Sequence, residues 1–245
     1  MAFERFVGVG CTHGDLIDPQ ASKKFFQFLK SEKFKHRFHL GDVYDFRALR
    51  RGADPREEGD SLDDDLVAGD RFQDDFRPTV LLGGNHDWGR LASAMRNWRG
   101  TTRAYAKGLM EEWQERCDKN GTLLVPYNSL LGAYKFGDTT LIHGYHAGAD
   151  AAKQHARIYR KCLFAHLHRV EHATVPGLDD ATAQCIGSLA DFRSMEYASQ
   201  RTATLAWRAA WVHGVINTKT GKVKWWMVED DGDGNFITPT GIKII

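Results

Sequence analysis

Short apolar runs alternate along this chain with polar turns and with longer stretches of helical spacing. Phe6-Val7-Gly8-Val9-Gly10 predicts a buried strand. Asp18-Pro19 then supplies a helix N-cap with proline at the first helical position, and Phe25, Phe28 and Leu29 give that helix an apolar face. His36 to Leu40 predicts a second strand and Thr79 to Leu82 a third. Between them lies a charged stretch, from Arg47, Arg50 and Arg51 to Asp63, Asp64 and Asp65, whose second half reads as a solvated helix. A helical stretch from Arg90 to Lys119 follows, broken at Gly100 and Gly108. Leu123 to Val125, Leu130 to Phe136 and Thr139 to Ile142 predict strands, Ala149 to Tyr159 a helix, and Cys162 to Ala165 another short strand. The remainder is strand-rich, with Trp211 to Ile216 and Val223 to Val228 the clearest cases. Strand, turn and helix in repetition predict a layered α/β architecture. With no internal repeat or linker, one domain over residues 1–245 is expected.

Composition narrows the function classes. Forty-two per cent of the 245 residues are hydrophobic and 27% charged, which excludes a disordered or collagen-like chain. The net charge is +1, so any attraction for nucleic acid must come from a local patch. Apolar runs are far too short for a membrane span, and the start of the chain has no basic-then-apolar leader, so a cytoplasmic protein is expected. Cys11, Cys117, Cys162 and Cys185 lack Cys-x-x-Cys spacing; the last three predict small buried hydrophobes. The segment Glu229 to Asn235 resembles a calcium loop only superficially, because Thr240 falls where a bidentate Glu is required; a turn is expected there.

The chemistry gathers where apolar runs end. Five such ends read Cys11-Thr12-His13-Gly14-Asp15, Gly41-Asp42-Val43-Tyr44-Asp45, Gly84-Asn85-His86-Asp87, His143-Gly144 and His166-Leu167-His168. In α/β sheets functional groups collect beyond the carboxyl ends of strands, so these segments are expected along one sheet edge. By period two, Cys11 and His13 point to one side, and so do His166 and His168. Imidazole with carboxylate suits Mn, Fe or Zn and suits calcium poorly. Seven candidate donors exceed what one four-coordinate ion uses, whereas two ions sharing Asp42 use them all.

This ordered set resembles the calcineurin-like metallophosphoesterases, whose pattern runs Asp-x-His, Gly-Asp-x-x-Asp, Gly-Asn-His-Asp/Glu, His (usually followed by Gly) and Gly-His-x-His. The likeness covers residues 11–168, with Cys11 at the first Asp position and Ala165 in place of the Gly before His166. It implies a four-layer α/β/β/α sandwich holding two divalent transition-metal ions. The first would take Cys11, His13, Asp42 and His168; the second, Asp42, Asn85, His143 and His166. His86 matches the family's catalytic histidine and Asp45 the carboxylate that orients it. The implied activity is hydrolysis of a phosphodiester or phosphomonoester by a hydroxide bridging the two ions. Such ions, about 3.5–4 Å apart, acidify the bridging water and steady the oxygens of an in-line displacement. No Ser-His-Asp arrangement or phosphate-cradling loop competes for the role.

Nucleotides or nucleic-acid ends are the first expected substrates. Arg47, Arg50, Arg51, Arg90 and Arg96 flank the motifs and can meet phosphates, and Trp88 and Tyr44 can stack on a base. The protein-phosphatase branch ranks last, because it follows Gly-Asp-x-x-Asp with Arg-Gly and this chain has Phe46-Arg47. The alternative class is a catalytically impaired metal- or nucleic-acid-binding relative; the presence of both His86 and Asp45 argues against it.

Overall fold

The computed structural model describes residues 2–50, 62–177, 179, 181–195, 202–238 and 243–244. Arg51 lies outside the described residues. Strands β1 (Phe3–Val9), β2 (His36–His39), β3 (Val80–Leu82) and β4 (Leu123–Val125) run parallel. Antiparallel strands β10 (Ala210–Asn217), β11 (Val223–Asp230), β12 (Phe236–Ile237) and β13 (Lys243–Ile244) extend that sheet beyond β1. Its order is β13-β12-β11-β10-β1-β2-β3-β4. A second sheet, ordered β5-β6-β7-β9-β8, uses β5 (Tyr134–Phe136), β6 (Thr139–Ile142), β7 (Cys162–Phe164), β8 (Val170–Val175) and β9 (Ala181–Ile186).

Alternation along the strands decides the layers. Phe6, Phe38, Val80 and Leu82 face Phe136, Leu141, Leu163 and Ile186 between the two sheets. The opposite side chains, Val7, Val9 and Leu81, face helices. Helices α1 (Pro19–Ser31), α2 (Leu62–Phe76), α3 (Trp88–Asn97) and α4 (Gly100–Asn120) cover the first sheet; α5 (Ala151–Tyr159) covers the second. The four-layer α/β/β/α order expected from the resemblance is therefore present in the packing.

Local chemistry starts and stops these elements where the chain requires. Asp18 accepts from the Gln20 and Ala21 amides at 2.7 and 3.1 Å, with Pro19 in the first turn of α1. Ala21, Phe25, Phe28 and Leu29 then bury one helical stripe against Phe72, Phe76 and Trp211. Truncating a buried ring such as Phe25 would cost about 3–5 kcal/mol, several times the roughly 1 kcal/mol of the cap.

Three expectations are corrected. The charged helix is not solvated throughout: α2 buries Asp65, Gly69, Phe72, Gln73 and Phe76, so its acidic run is one face of an amphipathic helix. Gly108 does not break α4; the interruption lies before Gly100, where α3 has ended at Asn97. The strand expected from Leu130 begins only at Tyr134, because Asn128 Oδ1 accepts from the Leu130 and Leu131 amides and holds a turn. The segment after β11 is a turn, closed by Asp230 Oδ1 on the Gly232 and Gly234 amides. Among the described residues, no helix is long and apolar enough to cross a membrane.

Candidate metal centre

The parallel strands β1, β2 and β3 end at Val9, His39 and Leu82, and β6 and β7 at Ile142 and Phe164. The loops beyond these ends carry all seven candidate donors. Cys11, His13, Asp42 and His168 form one buried group, and Asp42, His143 and the half-buried His166 form another; in each, the donor atoms lie within 4.8 Å of one another. Asn85 joins the second group, its Oδ1 standing 2.9 Å from His143 Nε2 and 2.7 Å from His166 Nδ1. Asp42 belongs to both.

The backbone reaches this arrangement by a route that period two does not describe. Cys11 and His13 lie past the end of β1, and His166 and His168 past the end of β7, rather than on strands. Cys11, His13, Asp42, His166 and His168 all have left-handed φ, between 53° and 68°. Such a conformation costs a non-glycine residue on the order of 1–3 kcal/mol and survives only where its surroundings enforce it. Five of seven candidate donors therefore sit on strained backbone. The strain also separates the pair expected on one face: His168 joins Cys11 and His13, whereas His166 joins His143.

Neighbouring loops supply the enforcement. Backbone amides of Cys11, Thr12 and His13 donate to the carbonyls of Gly41 and Asp42, locking two of the loops together. Asp87, fully buried, accepts from the Gly84, Trp88 and Val43 amides and so ties the third loop to the second. Gly84 packs so closely on Asp42 that a Cβ there would collide with its carboxylate. Ala165 is tolerated because its φ is not left-handed and its Cβ fills the space over Gly10.

Hydrogen-bond bookkeeping shows what the centre lacks. His143 Nδ1 donates to the Leu40 carbonyl at 2.7 Å, so its Nε2 faces inward, towards Asn85 Oδ1 and, at 3.1 Å, Asp42 Oδ2. His13 Nδ1 is held by Asp45 Oδ1 at 2.9 Å, which turns its Nε2 inward towards His168 Nε2, 3.1 Å away. Among the described residues, Asp42 Oδ2 is buried without a hydrogen-bond partner, although the His143 and His13 Nε2 atoms stand 3.1 and 3.9 Å from it. Inward lone pairs around an orphaned carboxylate oxygen call for positive charge. A proton on His143 meets part of that need: burial opposes it, but Asp42 raises His143 above its ordinary range. Divalent cations meet it at both groups, and imidazole, carboxylate, amide oxygen and thiol together suit a transition metal.

Beside the donors, His86 Nδ1 lies 2.5 Å from Asp45 Oδ1, the same oxygen that holds His13. Arg90 donates to the Asp45 carbonyl and reaches its Oδ2 at 3.4 Å. Burial would raise Asp45, but His86, His13 and Arg90 hold it well below the usual carboxylate range. Asp65 was legible only as part of a charge run. Its two oxygens accept from the Asp45 and Phe46 amides at 3.0 and 2.6 Å, fixing the turn that carries Asp45.

The expected substrate residues divide. Tyr44 is 2% exposed, stacked on Phe46, with its hydroxyl on Asp70; it is a core residue and cannot stack on a base. Arg47 makes a two-point contact with Asp15, at 2.7 and 2.6 Å, and is committed to closing the loop. Arg50, Trp88, Arg90 and Arg96 line one groove that opens at Asn85. Cys117, Cys162 and Cys185 are buried free thiols, as expected.

No family model matches the chain, and no match is found among the curated proteins. Solved structures do resemble it. Its structural neighbours include metallophosphoesterases and Vps29 proteins. A metallophosphoesterase from Sphaerobacter thermophilus aligns with 91% of this chain and 86% of its own, at 14% identity and a TM-score of 0.47. Vacuolar Protein Sorting 29 from Cryptosporidium parvum aligns over 96% and 95%, at 11% identity and 0.48. Vps29 from Entamoeba histolytica, solved with zinc, aligns over 98% and 99%, at 12% identity and 0.46.

Proposed function

We propose that this protein is a metal-dependent phosphoester hydrolase with two ions sharing Asp42. One observation carries the reading: the unpartnered Oδ2 of Asp42 stands between two inward-facing sets of donors, with the His86–Asp45 pair alongside. Cys11, His13 and His168 would hold one ion with Asp42, and Asn85, His143 and His166 the other. Mn, Fe and Zn fit these donors. When bound, the ions neutralise phosphate charge and acidify a water for in-line attack.

The chain's own residues supply the rest. Asp45 fixes His86 through Nδ1, and the ring would exchange a proton with the leaving oxygen. His86 and His13, with Arg90, keep Asp45 ionised, and Arg90 also holds its carbonyl. Because Asp45 also grips His13, ligand and acid–base group share one anchor. Phosphodiesters and phosphomonoesters of nucleotides or nucleic-acid ends are the proposed substrates.

The test is metal analysis of the purified protein with turnover of bis-p-nitrophenyl phosphate after Mn²⁺ addition. Two ions per chain and chelator-sensitive turnover are expected. Two ions with no turnover of any phosphoester would make it a metal-binding relative instead.

A further inference from the structure

We propose that the loop after β9 is a further element of the metal centre and that Ser188 is a positioning residue for the first ion, acting through the backbone of Cys11. This inference rests on the two-ion reading above and adds to it a residue that is not itself a metal donor.

Strand β9 runs parallel to β7, so its end at Ile186 reaches the sheet edge where β6 and β7 deliver their histidines. The chain there reads Gly187-Ser188-Leu189-Ala190, with no imidazole, carboxylate or thiol to announce a site. Ser188 is fully buried. Its hydroxyl donates to the Cys11 carbonyl at 2.7 Å and accepts from the Ala190 amide at 3.0 Å. The Leu189 amide donates to the same Cys11 carbonyl at 3.3 Å. Ser188 also forms a bridge with Ala209: its amide donates to the Arg208 carbonyl, and its carbonyl accepts from the Ala210 amide. That bridge sets the Arg208 amide to donate to the His168 carbonyl at 2.8 Å. Gly187, at a φ of 78°, makes the approach possible, because a Cβ there would collide with Ala210.

The two carbonyls held in this way belong to Cys11 and His168, both donors of the first group and both on left-handed backbone. Such backbone persists only where its neighbours over-determine it, and here a hydroxyl from far along the chain is one of them. The loop is tied to the first-group segment at two further points. The Asp18 amide donates to the Leu189 carbonyl at 2.8 Å, and the Asp191 amide to the Leu16 carbonyl at 2.7 Å. In the second group, the His143 carbonyl accepts from the Ala165 amide instead. Ser188 therefore bears on the placement of one set of donors and leaves the other to different partners. Groups that orient metal ligands from behind typically change metal affinity about 10–100-fold when removed.

Titration of the metal-free protein with Co²⁺ tests this, because a thiolate-to-cobalt charge-transfer band marks the ion that Cys11 holds. The wild type should bind two Co²⁺, one of them with the band. In Ser188→Ala the band-forming ion should bind about 10–100-fold more weakly, with the affinity of the other ion unchanged. Ser188→Thr keeps the hydroxyl and should hold the band-forming ion more tightly than Ser188→Ala does. An unchanged band-forming ion in Ser188→Ala, an equal weakening of both ions, or the same loss in Ser188→Thr would overturn the role of Ser188. Two Co²⁺ in the wild type without the band would also overturn it, and would leave the two-ion hydrolase reading standing. A wild-type protein that binds no Co²⁺ would overturn both.

Discussion

His13 Nε2 and His168 Nε2 stand 3.1 Å apart in a fully buried site, with His168 Nδ1 lacking any hydrogen-bond partner among the described residues. Burial and the neighbouring His13 and His86 push His168 well below its ordinary range, so that ring stays neutral. His13, His168 and Asp42 would hold an ion whose positive charge this buried group lacks. His168→Ala should therefore empty mainly one site, whereas Asp42→Asn should deplete both, because its carboxylate faces each donor group. Metal analysis distinguishes one ion lost from two. Saturating one site at a hundredfold over its Kd contributes about 2.7 kcal/mol, so each ion lost should lower the melting temperature by roughly 5–10 °C. Equal single-ion losses in the two variants would show that Asp42 does not bridge.

His86 and Asp45 should separate when mutated, although they touch. His86→Ala removes a side chain that sits beside the donors, so metal content should hold while turnover falls about 10²–10⁴-fold, the usual contribution of acid–base catalysis. Asp45→Asn should lose turnover and first-site metal together, because Asp45 Oδ1 also fixes the His13 ring at 2.9 Å. Full metal content in Asp45→Asn would place His13 outside Asp45's control.

The site residues were legible as a set because glycine-flanked His, Asp and Asn at strand ends are visible in one dimension. The local backbone geometry that arranges them was not. Period two placed His166 with His168, and the left-handed backbone at both positions sent them to different groups. Nothing in a Leu167-spaced histidine pair announces such a turn, since the strain is enforced by residues far off in the chain. Tyr44 shows the same limit: beside a metal motif it reads as a stacking ring, but α2 and α4 close over it through Asp70, Gln73 and Trp113. The layers were easier, because alternation in β1 and β3 and the apolar stripe of α1 carry their partners' direction within them.

Asp65 should leave a mark on the pH dependence of stability. Burial pushes its carboxyl up to about 6 from an ordinary 3.8, although the Asp45 and Phe46 amides partly offset this. Because the folded value is the higher one, ionisation is harder in the native state. Its contribution is therefore most favourable below pH 4 and is lost as pH rises towards 6. Asp65→Asn lacks that loss but leaves one of two buried amides without an acceptor, at a cost of about 1–3 kcal/mol. The variant should be the less stable protein at pH 4, and the gap should narrow by on the order of 2 kcal/mol by pH 7. Denaturant titrations of both proteins at several pH values measure it; a constant gap would mean that Asp65 titrates normally.

Cys11 stands where the resemblance expects Asp, and its surroundings make the exchange chemically specific. Its Sγ lies within 4.8 Å of donor atoms of His13, Asp42 and His168, and accepts from the His166 amide at 3.2 Å. Burial, reinforced by Asp42, pushes the thiol well above its ordinary range, so without an ion it stays protonated. A transition metal reverses that balance by binding the thiolate directly, and the thiolate supplies the single negative charge an aspartate would. Sulfur is softer than oxygen, so the first site should favour Fe or Zn over Mg. Cys11→Asp should then keep two ions and shift the preference towards Mn. It should also lose the inactivation by peroxide that a thiolate donor confers. Cys11→Ala should release the first-site ion and keep the second. Buried Sγ also packs between the sheets, so a stability loss alone decides nothing; metal content and metal preference do. Full two-ion content in Cys11→Ala would make Cys11 a packing residue and leave the first site to His13, Asp42 and His168.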